Sequence, residues 1–207
     1  MLAQWLQLGG VAMLLLVALS LVASTLILVK LWEFWEWRLP RGDRVARALD
    51  AWRRRCPEQA LAQLAGERTP LAGVLATAIA ALAEPGVREE QARERAAQDA
   101  VARLERMRSG LGALELIGQI APLLGLFGTV LGMIEAFRAL EASGGEVRPE
   151  LLAGGIWQAL LTTAAGLAIA MPVLAVQNAL ERVVERHRLA MEAALTQLFT
   201  RPRADAA

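Results

Sequence analysis

Several residue types that chemistry usually needs are scarce in this 207-residue chain. It has one cysteine, Cys56, one histidine, His187, and no tyrosine. A single cysteine excludes an internal disulfide, and a histidine with no second histidine or cysteine nearby makes a metal site unexpected. No Ser/His/Asp or Cys/His arrangement, P-loop or zinc pattern occurs. We therefore expect no enzymatic activity, no cofactor, no metal and no nucleic-acid partner.

Charge is also missing, but only from three parts of the chain. No charged side chain occurs at 1–29, 116–134 or 151–180, which are runs of 29, 19 and 30 residues. About 20 apolar residues cross a bilayer as a helix. The sequence therefore predicts an all-α membrane protein with three transmembrane helices, at about 8–30, 112–138 and 152–178.

The charged residues predict how these spans are oriented. Lys30, Arg38, Arg41, Arg44 and Arg47 follow the first span, whereas the loop 141–150 has four charges, three of them acidic. Basic residues mark the cytoplasmic side. We expect an N-terminal transmembrane helix at 1–30 with its N-terminus outside, and a cytoplasmic helical segment at 31–110. A transmembrane helix pair at 111–180 and a cytoplasmic C-terminal helix at 181–207 follow.

Punctuating residues divide the segment 31–110 into helices that extend into the cytoplasm. Gly42-Asp43 starts a helix that runs to Arg55, Pro57 starts a second, and Thr69-Pro70 starts a third that runs to about Ala83. The third is uncharged but short, so we expect a buried or interfacial helix and not a fourth span. From Pro85-Gly86 a helix is predicted to run without a break into the second span, and the tail is predicted to pack along it.

The second and third spans are rich in small residues at helical spacing. Glycine and alanine on one face let another helix approach closely. We assign helix packing to these glycines and to the prolines within the spans: Gly118, Gly125, Gly128, Gly132, Gly155, Gly166, Pro122 and Pro172.

Hydroxyl and amide side chains lie among these small residues. Thr129 lies between Gly125 and Gly132, Thr163 lies within the face of the third span, and Gln158 and Thr162 share a neighbouring face. A membrane threonine often bonds only its own helix, to the carbonyl three or four residues back. The conjunction of polar groups on two small-residue faces favours a polar path between the helices. Thr129, Thr163, Gln158 and Thr162 are therefore the candidate path-lining residues.

Two segments carry a resemblance to a known family. APLLGLFGTVLGMIEAF at 121–137 and GGIWQALLTTAAGLAIAMP at 154–172 resemble the two-helix signature of the MotA/TolQ/ExbB proton-channel family, on its ExbB/TolQ side. The resemblance implies a homo-oligomer, a pentamer, in the bacterial inner membrane around a dimer of a single-span ExbD- or TolR-like partner. A partner aspartate takes and releases protons, and the motor energises a TonB- or TolA-type protein for transport or envelope maintenance.

The same resemblance implies roles for individual residues. Thr129 and Thr163 match pore-lining threonines, whereas Gln158 stands where ExbB and TolQ usually have glutamate. A glutamine cannot titrate, although it still donates and accepts hydrogen bonds. Either the glutamate is not needed for proton transfer, or this chain is a variant with reduced or altered flux. We hypothesise the first: the partner aspartate carries the proton and Gln158 only shapes the path, so that Gln158→Glu leaves proton flux largely unchanged.

Two other functions remain open at this point. A flagellar-stator-like, MotA-like subunit would have four spans and a larger cytoplasmic domain. A non-conducting membrane scaffold would use its small-residue faces only for assembly, and would tolerate Thr129→Val and Thr163→Val.

Overall fold

The structure, a computed structural model, describes residues 2–36, 43–142 and 149–200, and within these ranges every regular element is a helix. The predicted all-α class is therefore confirmed. In chain order the helices are α1 (Leu2–Glu36), α2 (Asp43–Arg53), α3 (Pro57–Leu64), α4 (Pro70–Ala83), α5 (Glu89–Arg108), α6 (Leu111–Ala142) and α7 (Pro149–Phe199).

Three helical stretches of the described chain are long and apolar enough to cross a membrane. They lie within Gly10–Trp35, Glu89–Ala142 and Ala153–Phe199. The chain is a multi-pass membrane protein, as the charge-free runs predicted. Gly10 interrupts α1 with φ 57° and ψ −157°, which glycine adopts without the steric penalty of a Cβ.

The helices divide into two compact units. The membrane unit contains residues 1–30 and 110–179, and the polar unit contains residues 31–109 and 180–207. The part of the tail at 201–207, predicted as helix, lies outside the described residues.

The apolar helix α4 forms the centre of the polar unit. Thr69 caps its N-terminus, accepting a hydrogen bond from the Ala72 N–H at 3.4 Å, and Pro70 occupies the first turn. Val74, Leu75 and Ala78 are buried against residues of α2, α3, α5 and the tail. α4 is therefore the buried helix that its length predicted, and the described residues offer no fourth span to a stator-like reading.

The expectation of an unbroken helix into the second span was wrong. α5 ends at Arg108, where the Ser109 N–H donates to the Glu105 carbonyl at 2.9 Å, and Gly110 adopts φ 79°. This left-handed conformation ends an α-helix, and glycine adopts it readily. A new helix begins at Leu111. The apolar spacing continues across the break, which is why the pattern concealed it.

Two other predicted boundaries move for the same physical reason. α2 ends at Arg53 because Arg55 adopts φ 61°, with the Cys56 N–H bonded to the Ala51 carbonyl at 3.1 Å. α5 begins at Glu89, not at Pro85-Gly86, because Gly86 has φ 87° and forms a turn.

The tail continues α7 to Phe199 and packs along α5 in the polar unit. Met191, Ala194 and Leu198 share the core with Ala96 and Ala100 of α5. The Arg93 guanidinium lies 4.9 Å above the centre of the Phe199 ring. The predicted packing of the tail against this helix is therefore confirmed.

Candidate functional site

The two spans of the helix pair touch along their glycines. A Cβ placed on Gly118 would lie 2.4 Å from the Leu174 side chain, and one on Gly155 would lie 2.5 Å from the Cβ of Ala136. Residue numbers that rise along α6 therefore meet numbers that fall along α7. The two helices are antiparallel, as expected for neighbours in the chain that both cross a membrane.

The closest approach lies at the middle of the pair. A Cβ on Gly166 would lie 2.5 Å from the Ala121 carbonyl oxygen, and one on Gly125 would lie 2.9 Å from the Thr162 carbonyl oxygen. Gly128 and Gly132 similarly face Thr162 and Ala159. These glycines lie where only hydrogen leaves room for the other backbone. Pro122 is half-buried and Pro172 is exposed, so Pro172 makes no comparable contact within the described residues.

Helix α1 covers one side of this pair. Ala12 lies 3.1 Å from the position of a Cβ on Gly128. Leu16 packs with Ala121 and Ala170, and the partly buried members of the same cluster are Leu19, Leu124, Ala165 and Ile169. Leu124, Ala165 and Ile169 each precede a residue of the α6/α7 contact by one position. Leu124, Ala165 and Ile169 therefore mark the side of the pair that α1 covers.

Thr129 and Thr163 lie on the opposite side. They follow Gly128 and Thr162, which contact each other across the pair. One residue turns a helix by about 100°. In an antiparallel pair, the residue that follows a contact residue on one helix and the residue that follows its contact on the other helix point to the same side of the pair. Thr129 and Thr163 therefore lie together on the side away from α1. We call this the open edge, and its exposed apolar residues are Leu126, Leu160, Leu167 and Met171.

The hydroxyls on the open edge differ in their bonding. The Thr129 hydroxyl donates to the Leu126 carbonyl of its own helix at 2.6 Å. The Thr163 oxygen is buried and has no hydrogen-bond partner among the residues that the structure describes. A buried hydroxyl without a partner is unfavourable, typically by about 1–3 kcal/mol. The Thr163 hydroxyl is therefore unsatisfied within the single chain. Because its oxygen is enclosed by the chain's own atoms, another molecule can bond to it only after the side chain or its surroundings move.

The other two candidate residues lie elsewhere. Thr162 is 1% exposed, and its hydroxyl lies 2.7 Å from the Ala159 carbonyl and 3.3 Å from the Gly125 carbonyl across the pair. Gln158 is half-buried and precedes the contact residue Ala159, which puts it on the side of α1. Five residues separate it from Thr163, or about 140° around the helix. The four candidates therefore do not form one cluster.

Sequence reasoning missed the part that α1 plays in this site. Ala12, Leu16 and Ala23 are buried in the first span, at positions that recur on one helical face. Residues spaced by four and seven lie on one helical face, and the two alanines among them let another helix approach closely. That spacing was available in the sequence, and it identifies the side of α1 that meets the pair.

The α6/α7 contact lies within a region that matches a protein family, whereas α1 lies outside it. The profile of the MotA/TolQ/ExbB proton channel family matches residues 66–193. The chain belongs to this family. The match includes α6, nearly all of α7 and the polar-unit helices α4 and α5.

Individual relatives carry ExbB names. The biopolymer transport protein exbB1 of Vibrio cholerae is 57% identical over 67 residues, 32% of this chain and 29% of that protein. The putative biopolymer transport protein ExbB-like 1 of Synechocystis is 40% identical over 176 residues, 81% of this chain and 66% of its own length. The biopolymer transport protein ExbB of Pseudomonas putida is 37% identical over 93 residues, 45% of this chain and 28% of that protein. The matched parts thus span between about a quarter and two thirds of these relatives.

Proposed function

We propose that this chain is the channel-forming subunit of an ExbB/TolQ-like motor driven by the proton-motive force. In this proposal five copies form a ring in the bacterial inner membrane, and the open edge of each copy faces the lumen. Two single-span helices of an ExbD- or TolR-like partner occupy that lumen. The N-terminus lies in the periplasm and the C-terminus in the cytoplasm.

The observation that carries the proposal is the pair Thr129 and Thr163 on the side of the helix pair that α1 leaves free. The Thr163 hydroxyl is buried without a partner, and in this proposal it turns outward to bond the partner carboxylate. Around it the open edge is apolar, with Leu160 and Leu167 one helical turn away on either side. A ring of such edges encloses a mostly apolar lumen with hydroxyls at one level. A carboxylate of the partner finds its hydrogen-bond donors at that level, so protonation and release there change how the partner is held. The movement then energises a TonB- or TolA-type protein.

The position of Gln158 supports the hypothesis that it does not carry protons. It lies on the side of α1 and not on the open edge, and an amide does not titrate. Its role in this proposal is to keep α1 and the helix pair in register. Proton transfer between partner and lumen then does not require a carboxylate at this position.

Proton flux through the assembled complex tests these assignments. Thr163→Val removes the hydroxyl at nearly constant shape, and we expect flux to fall about tenfold, the effect of losing one hydrogen bond of about 1.4 kcal/mol. Thr163→Ser keeps the hydroxyl and should retain most of the flux. Thr25→Val is the matched control, since the Thr25 hydroxyl is exposed on α1 and bonds its own helix. Gln158→Glu should leave flux unchanged.

No proton flux in the unsubstituted complex, together with unchanged cellular function in Thr163→Val and Thr129→Val, would favour the non-conducting scaffold instead. Unchanged flux in Thr163→Val would contradict the role given to Thr163. The hydrogen bond of the Thr129 hydroxyl to the Leu126 carbonyl of its own helix is the observation that favours the scaffold. A large gain of flux in Gln158→Glu would contradict the role given to Gln158.

A further inference from the structure

An exposed stripe on α5 has no use in the site described above. Glu94, Ala97, Gln98, Val101, Ala102 and Glu105 line a shallow groove along this helix. Val101 is 55% exposed. Neither Glu94 nor Glu105 has an ion-pair partner within the described part of the chain, although Asp99 and Glu84 do. The groove is therefore apolar in its middle and acidic at both ends.

A complementary stripe runs along the tail of α7. Arg182, Arg186, Leu189 and Ala193 are spaced by four, three and four residues, so they share one helical face, and all are exposed. Leu189 is 51% exposed and points away from the buried face that contains Val184, His187 and Met191. This stripe is apolar at one end and basic at the other.

The basic residues of the stripe are available for a new contact. On the neighbouring face, Arg188 bonds Glu185 and Glu192. The hydrogen bond with Glu185 raises the pKa of Arg188, and the same bond holds the pKa of Glu185 below its usual value. Among the described residues, no carboxylate pairs with Arg182 or Arg186.

We propose that the α7 stripe of one subunit packs into the α5 groove of the next subunit of the same ring. This inference rests on the homo-oligomer of the proposed function and names the surface that holds it together outside the membrane. The contact is heterologous, since one surface meets a different surface of an identical chain. Repetition of such a contact closes a ring when the rotation permits.

The alignment of α5 with the tail of α7 within one subunit fixes how α5 aligns with the tail of a neighbouring subunit. α5 and the tail are antiparallel, because Arg93 meets Phe199 at one end while the charge of Arg108 acts on Glu185 at the other. Copies related by an axis normal to the membrane stand at the same height, so a neighbour's tail has the same levels. Arg186 is then level with Glu105 to within about one helical turn.

The same alignment brings the apolar residues together. Leu189 is level with Val101 and Ala102 to within a turn, and Ala193 with Ala97 and Gln98. A twofold arrangement has no such complementarity, since it would place glutamates against glutamates on α5 or arginines against arginines on α7. Like charges in apposition disfavour that pairing.

Site-directed cross-linking tests the contact in the full-length protein. In a Cys56→Ser background, which removes the only cysteine, Val101→Cys is placed in one tagged copy and Leu189→Cys in a second copy with a different tag. A disulfide forms only when the two Cα atoms come within about 7 Å. We expect a mixed dimer on oxidation in native membranes, and none when Val101→Cys is replaced by Arg106→Cys, because Arg106 is exposed and lies about 140° around α5 from Val101. A homotypic Val101→Cys dimer, or no mixed dimer, overturns the proposal.

Charge exchange gives a second measurement that does not depend on cysteine geometry. Glu105→Arg and Arg186→Glu should each reduce the oligomeric fraction, and the double variant should recover it. Arg95→Glu is the control, because Arg95 already pairs with Glu84 of its own chain at 2.8 Å. Single variants that assemble like the control overturn the interface.

The outcomes separate this interface from the proposed function. A ring without the mixed cross-link overturns the interface and leaves the motor intact. A mixed cross-link in a complex that has no proton flux supports the interface and contradicts the motor.

Discussion

The distance between α6 and α7 depends on glycines that have only a hydrogen atom where other residues have a side chain. Gly125 and Gly166 approach the opposite backbone so closely that a methyl group at either position would overlap it. The sequence predicted that small residues and threonines would line these faces. It placed Thr163 within the small-residue face and Thr162 on the neighbouring face, which was wrong: the Thr162 side chain contacts Gly125 and Gly128. The two threonines are adjacent, and both fit a spacing of three or four. The packing assigns Thr162 to the contact and Thr163 to the open edge.

Gly166→Ala tests the close approach at this scale. The added methyl would lie 2.5 Å from the Ala121 carbonyl oxygen, which belongs to a backbone that cannot move aside cheaply. We expect a loss of about 1–3 kcal/mol in stability, measured as a lower thermal unfolding midpoint in detergent. Gly154→Ala is the matched control in the same helix, since a Cβ there has no neighbour within 4 Å. Equal midpoints for the two variants would contradict this packing.

Among the helices, the end of α5 and the start of α6 show best which boundaries the sequence predicts and which it does not. Capping residues in the sequence predicted the starts of α3 and α4, because Pro57 and Thr69-Pro70 act locally. The break at Ser109-Gly110 was not predicted, because apolar residues keep their spacing on both sides of it. A periodic pattern records which face is buried, and it does not record the left-handed residue that ends a helix, here Gly110. The burial of α4 was predictable, since 14 residues are too few to cross a bilayer comfortably.

Gly110→Ala tests the break. Gly110 has φ 79°, and a left-handed conformation costs a residue with a Cβ about 1–2 kcal/mol. A Cβ would also lie 3.3 Å from the Lys30 side chain. We therefore expect a lower unfolding midpoint for this variant. Gly112→Ala lies two residues away inside α6, where a Cβ meets nothing within 4 Å, and it should be neutral or slightly stabilising. The two variants behaving alike would mean that the chain is helical through Gly110.

The whole molecule combines a membrane unit and a polar unit built from discontinuous parts of the chain. Three charge-free runs predicted the spans, and two dense motifs predicted the family. The side of the helix pair that α1 covers could not be predicted, because the spacing in α1 identifies only the face of α1 and both sides of the pair carry apolar residues. That packing distinguishes the open edge with Thr129 and Thr163 from the side of Gln158. In the proposed ring, the open edge therefore faces the lumen and Gln158 does not.

The stoichiometry of the assembly tests the central claim most directly. Native mass spectrometry would be applied to this chain co-expressed with a candidate single-span, aspartate-bearing partner encoded by a neighbouring gene. We predict five copies of this chain with two copies of the partner. A homo-oligomer that retains no partner, from any of the candidates, would contradict the motor and support the scaffold.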